Sequence, residues 1–131
     1  MEDLRQRLDE LIDIGKQIIE LLAKDEELTK LVGKKIFPLV ANADTTFPFV
    51  VYKRAGFQPS LNKDYEGEKI TVDFVTCSTS YEESLKIANK IYQGLVHVET
   101  DIIDDSVAIN LYEDYISDTY CQFITIIFTL K

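Results

Sequence analysis

Apolar residues recur at alternating steps of four and three near the start of the chain, the spacing of one face of a helix. This pattern predicts a helix from residue 3 to about residue 23. Its stripe consists of Leu4, Leu8, Leu11, Gly15, Ile18 and Leu22, widened by Ile12 and Ile19. A short second helix, Glu26 to Val32, is predicted between an N-capping Asp25 and a terminating Gly33.

A second long amphipathic helix is predicted from Ser80 to about His97. Ser80 followed three residues later by Glu83 has the spacing of a capping box, which favours a helix start at this point. The apolar stripe of this helix consists of Tyr81, Leu85, Ala88, Tyr92 and Leu95, with Ile87 and Ile91 beside it.

Two pairs of strands are predicted by alternating apolar and polar residues. One pair runs from Phe47 to about Phe57 and from Glu68 to Ser78, and a short extended piece ending at Pro38 precedes it. The other pair runs from Val107 to about Ile116 and from Tyr120 to Leu130, with Ser117 and Asp118 as the turn. In the strand from Val107 to about Ile116, the side chains of Val107, Ile109 and Leu111 are expected on one face.

The last strand is apolar on both faces. Phe123 and Ile127 lie on one face, and Ile124, Ile126 and Phe128 on the other. Such a strand is either central and covered on both sides, or it meets another subunit. Together the elements predict a single α+β domain over residues 1–131, in which two long amphipathic helices pack on an antiparallel sheet of two hairpins.

The net charge of −9, from 23 acidic and 14 basic residues, argues against general binding to nucleic acid or to anionic membranes. Residues 99–131 hold seven acidic residues and one basic residue, so this stretch carries most of the excess. The pairs Lys34-Lys35 and Lys53-Arg54 are too small for a nucleic-acid footprint, and are either solvated or contact a partner protein. Neither a secretory signal nor a run of about 20 apolar residues is present, so no membrane association is expected.

The residue types needed for catalysis do not fall into a motif. His97 is the only histidine, and no serine or cysteine nucleophile accompanies it. Asp101, Asp104 and Asp105 lack the spacing of an EF-hand and indicate a solvated acidic loop. Cys77 and Cys121 are predicted to be free buried thiols. We therefore assign no catalytic residue, cofactor or metal, and an enzyme would need carboxylates of residues 101–118 to converge in a cleft.

The long loop of residues 58–67 carries two apolar side chains, Leu61 and Tyr65, among polar neighbours. It is either a mobile surface loop or an arm that reaches a neighbouring subunit.

A family resemblance rests on the order of several short motifs. A helix ending at Gly33 leads into Ile36-Phe37-Pro38, and Phe47-Pro48 then opens a strand of aromatic and β-branched residues. Val72-Asp73-Phe74 and the helix opening at Ser80 follow. In this order, over roughly residues 20–130, the chain resembles the tail-completion (tail terminator) family of long-tailed phages and prophages.

The resemblance implies a small non-enzymatic subunit that forms a ring, often a hexamer, capping the tail tube and joining it to the head connector. It also implies assembly in the host bacterial cytoplasm and a final place in the virion tail. As interface residues we expect Leu61, Tyr65, Phe123 and Ile127. The alternative is a small-ligand or regulatory binding module with an apolar pocket on the sheet.

Overall fold

Three helices and five strands make up the fold, which a computed structural model describes for residues 2–58 and 68–131. The elements are α1 (Glu2–Ala23), α2 (Glu26–Val32), β1 (Ile36–Pro38), β2 (Phe49–Gln58), β3 (Lys69–Ser78), α3 (Tyr81–Leu95), β4 (Ile103–Ile116) and β5 (Thr119–Leu130). The strands form one sheet in the order β1-β2-β3-β5-β4. The protein is therefore a mostly-sheet α+β fold.

The predicted architecture, an antiparallel sheet of two hairpins with two long helices, is wrong. Strand β1 pairs in parallel with β2, with Ile36 opposite Val50, so the sheet is mixed and has five strands. Three residues are too few to show a strand period, and the direction of pairing depends on how the chain returns through residues 39–48. The short α2 is a third helix of the core, where it buries Leu28 and Val32.

One face of the sheet carries the hydrophobic core. Alternate residues of β3 and β5 are buried there, and the register places Phe74 opposite Ile124. The helices cover this face with Ile14, Ile18, Leu22, Ile87, Ile91 and Leu95. Each fully buried side chain of this size contributes about 1.5–3 kcal/mol, so this layer supplies the main driving force for folding.

The buried stripe of α1 is rotated from the predicted one. Ile14 is buried, whereas Ile12, predicted to widen the stripe, is 56% exposed. A Cβ atom placed on Gly15 in ideal geometry would lie 4.0 Å from the Tyr52 hydroxyl oxygen. The helix therefore approaches β2 at this point.

The hairpin of β4 and β5 starts earlier than predicted, because Ile103, Asp104 and Asp105 belong to the strand rather than to an acidic loop. Its two-residue turn, Ser117-Asp118, has φ angles of 51° and 62°, as a type I′ turn requires.

A register shift between Ala108 and Asn110 changes which residues of β4 share a face. Val107 pairs with Ile127, on the side away from the core, and Leu111 pairs with the buried Ile124. The predicted common face of Val107 and Leu111 is therefore wrong, since a bulge of one residue reverses the alternation.

Candidate interaction surfaces

The sheet face opposite the core has no helix packed on it in residues 2–58 and 68–131. We call it the helix-free face. Its central rows come from the alternate residues of β3 and β5 that point away from the core, including Val75, Phe123 and Ile127. Phe123 and Ile127 are half-buried among their strand neighbours. The structure thus brings these two predicted interface residues onto one surface, which also carries polar residues such as Asp73 and Thr125.

Cys77 and Cys121 lie directly opposite each other in the β3–β5 register, on the helix-free face. Both thiols are free, with Cys121 buried and Cys77 half-buried. Burial and the neighbouring Cys121 thiol raise the pKa of Cys77 to about 12. Burial also raises the pKa of Cys121. These thiols are therefore protonated at neutral pH, and neither is an activated nucleophile.

A groove of about 540 Å³ runs on the other side of the sheet, between α3 and the β4–β5 pair. We call it the α3–β4 groove. Its walls are mainly apolar and include Leu85, Ala88, Tyr92, Leu111 and Ile124. Strand β4 is at the edge of the sheet and α3 packs on β3 and β5, so Leu111 remains 59% exposed although it faces the helix side.

The rim of this groove is acidic and ordered by hydrogen bonds. Glu113 accepts from the Tyr81 hydroxyl at 2.9 Å and from Gln122 Nε2 at 3.2 Å. The bond to Glu113 raises the pKa of Tyr81. Gln122 Nε2 also donates to Ser84 Oγ at 3.3 Å, which ties the rim to α3. Glu113 is thus held as a fixed negative charge beside an apolar groove.

Sequence reasoning missed this groove, although α3 contained a signal. The predicted stripe of α3 contained more apolar residues than one sheet contact buries. The buried stripe of α3 differs from the predicted one: Ile87, Ile91 and Leu95 enter the core, while Tyr81, Leu85 and Tyr92, which belong to the predicted stripe, stay exposed. An apolar arc wider than the buried stripe therefore marked a second surface on the same helix.

The opposite edge of the sheet is basic. Residues 33–56, which contain β1 and most of β2, include four basic residues and one acidic residue. Lys35 Nζ donates to the carbonyl and hydroxyl oxygens of Thr46, at 3.0 and 3.2 Å, and so braces the loop between the two strands. By contrast, β4 and its turn, residues 103–118, include five acidic residues and no basic residue.

The structure also locates most of the remaining candidate residues of the sequence. His97 Nδ1 lies 3.3 Å from Asp105 Oδ1, just beyond the end of α3. Within the described residues, no three His, Cys, Asp or Glu side chains gather into a metal site. Glu113 and Asp114 are consecutive in β4, so they point to opposite faces of the sheet. The proposed interface residues Leu61 and Tyr65 lie outside the described residues.

Comparison with known proteins relates the fold to phage and virion proteins. No family model and no curated protein sequence matches this chain. Its structure is similar to a chain in the virion of a native gene transfer agent particle, with a TM-score of 0.73 and 12% identity, covering 86% of this chain and 90% of that one. It is also similar to the gp17 protein of bacteriophage SPP1, with a TM-score of 0.55 and 23% identity, covering 89% and 88%.

In the part of the chain that the structure describes, no helix combines the length and the apolar character that a membrane span requires.

Proposed function

We propose that this chain is a non-enzymatic structural subunit of a phage or prophage tail, which forms a ring that terminates the tail tube and joins it to the head connector. The observation that carries the proposal is the fold shared with a virion chain over 86% of this chain and 90% of that one. The similarity to a bacteriophage protein supports it. The sequence resemblance to tail-completion proteins adds the specific role, assembly in the host bacterial cytoplasm and final placement in the virion tail.

The helix-free face supplies the contact surface in this proposal. Phe123 and Ile127 on this face meet a neighbouring subunit or another tail protein. Association that covers half-buried apolar side chains gains from their removal from water. Leu61 and Tyr65, in the sequence between β2 and β3, are proposed as further contacts of the same kind.

Deletion of the gene from the phage or prophage that encodes it tests the role directly. Electron microscopy of the particles should show heads and tails that remain separate, and the wild-type gene supplied in trans should restore joined particles. Native mass spectrometry of the purified protein should show a single closed oligomer, with a hexamer as the size that the resemblance implies. Normal joined particles after deletion would contradict the proposal.

The α3–β4 groove favours a second candidate function, a small-ligand or regulatory binding module. Its volume of about 540 Å³ falls in the range of ligand pockets, and its walls are mainly apolar. Native mass spectrometry of protein purified from its own host would then show a stoichiometric bound small molecule. A tail subunit would show an oligomer of the polypeptide with no bound small molecule.

A further inference from the structure

The turn after β1 presents two apolar side chains to solvent. Leu39 and Val40 are 70% and 73% exposed, the highest values among the large apolar residues described. Singly exposed apolar residues are common on protein surfaces, but an adjacent pair at this exposure forms a small apolar projection. We call it the Leu39–Val40 turn.

This turn is held in a defined shape. Leu39 has a φ angle of 67°, in the left-handed region that leucine disfavours. Its N–H donates to the Tyr52 carbonyl at 2.8 Å, and the Val40 N–H donates to the Pro38 carbonyl at 2.8 Å. Lys35 braces the far end of the same loop through Thr46. Backbone strain that persists in a native fold often accompanies a functional site, which makes this turn a candidate contact surface.

The opposite edge of the sheet has a surface of matching chemistry. The α3–β4 groove is apolar in its walls, and Leu85 and Leu111 line its open side. Its rim carries Glu113, within a strand and turn that hold five acidic residues. The Leu39–Val40 turn follows Lys34 and Lys35 in a segment with an excess of basic residues. An apolar projection beside positive charge thus matches an apolar groove beside negative charge.

The two surfaces of one chain lie at opposite edges of its sheet. Strands β1 and β4 are the first and last of five. At about 4.8 Å between neighbouring strands, roughly 19 Å separates these two strands. The turn of one chain therefore needs the groove of a different copy.

We propose that copies of this chain join head to tail, with the Leu39–Val40 turn of one copy inserted into the α3–β4 groove of the next. Such an interface uses two different patches, so it repeats from copy to copy and closes into a ring when the rotation permits. This inference rests on the proposed ring and identifies its repeating contact. It also leaves the helix-free face available for another tail protein.

Two double variants of the full chain, neither of which changes its net charge, test the contact. Leu39→Gly with Val40→Ser removes the projection, and glycine accepts the φ angle at position 39. Leu85→Gln with Leu111→Gln makes the groove polar at two exposed positions, where the fold tolerates the change. Sedimentation velocity should show that each variant self-associates roughly tenfold or more weakly than wild type, as expected for loss of a central apolar contact. Ile109→Gln, an exposed position of β4 outside the groove lining, is the control and should assemble as wild type does.

A mixture of the two double variants identifies the head-to-tail geometry. The variant without the projection keeps an intact groove, and the groove variant keeps an intact projection. At a concentration where each variant alone is monomeric, the mixture should therefore form a 1:1 heterodimer that grows no further. Association of wild type should also weaken as salt is added, because charges flank the contact.

Three results would overturn the inference: wild-type assembly by both double variants, a mixture that stays monomeric, or a wild-type protein that stays monomeric at every concentration. Particles that remain unjoined after gene deletion would leave the proposed role in joining heads to tails in place in each of these cases. Joined particles after deletion would instead remove the proposed function, whatever the variants do.

Discussion

The rings of Tyr112 and Phe123 stack across the β4–β5 pair, with centroids 4.5 Å apart and an angle of 4° between their planes. The two residues are direct partners in the antiparallel register, so both lie on the helix-free face. Tyr112 is exposed and Phe123 is half-buried. The stacking therefore holds Phe123 in one orientation while part of its surface still faces outward, so a contact formed there would cost little side-chain entropy.

Replacement of Phe123 and Ile127 by Asp should abolish the joining of heads to tails. Two carboxylates on the helix-free face would have to be desolvated in any contact that covers it, and this cost opposes binding. Complementation of the gene deletion, scored by electron microscopy, measures the effect. Ile12→Asp, at an exposed position of α1, is the matched control and should complement. Full complementation by the double variant would show that the helix-free face makes no essential contact.

Ser106→Ala should lower the free energy of unfolding by about 1–3 kcal/mol, the cost of leaving buried polar groups without partners. Ser106 is buried in β4, where its hydroxyl donates to the Leu95 carbonyl at 2.6 Å and accepts from the Val98 N–H at 3.0 Å. These two bonds connect the end of α3 to the sheet. Urea denaturation measures the change, and Asn110→Ala, an exposed position of the same strand, should shift stability by less than about 0.5 kcal/mol.

The sequence predicted the limits of most helices and strands because their periodicity is local, although the buried stripe of α1 and the faces of β4 differ from the prediction. The limits of α2 and the alternation of β3 are confirmed, and so is the division of β5 into two faces. Each of these depends on repeats of 3.6 or two residues within one segment. The turn at Ser117-Asp118 was equally predictable from its short polar sequence.

The features that the sequence did not show depend on pairing between distant segments. The parallel partner of β1 is set by contacts with Val50, and the extra residue near Ile109 is visible only against the register of β5. The juxtaposition of Cys77 and Cys121 likewise follows from the β3–β5 register. The α3–β4 groove was missed because its two walls are separate in the sequence, although the wide apolar arc of α3 indicated one of them.

Ser80→Ala should destabilise the fold by about 1 kcal/mol through loss of the α3 cap. The Ser80 side chain accepts from the Glu83 N–H at 3.2 Å, as the capping-box spacing predicts. In a capping box the Ser80 N–H would donate to the Glu83 carboxylate. Here the Ser80 N–H donates instead to Ser78 Oγ at 3.0 Å, and Ser78 Oγ donates to Glu83 at 2.7 Å.

The relay through Ser78 gives this prediction a second arm. Ser78→Ala should destabilise at least as much as Ser80→Ala, since Ser78 is buried and its loss removes both bonds at once. Urea denaturation of the two single variants measures the order. A negligible effect of Ser78→Ala would show that the relay contributes nothing to the start of α3.

Alkaline pH should destabilise the wild-type fold more than it destabilises Cys77→Ala. Burial raises the pKa of Cys77 from 9.0 to about 12, so the unfolded chain loses this proton at lower pH than the folded chain does. As the pH rises from 9.0 toward 12, the unfolded state therefore binds fewer protons, and the free energy of unfolding decreases. Tyr52, Tyr81, Tyr115 and Cys121 also have raised pKa values, and all four remain in both wild type and variant. Urea denaturation at several pH values should give a steeper decrease for wild type, and equal slopes would contradict the assignment to Cys77.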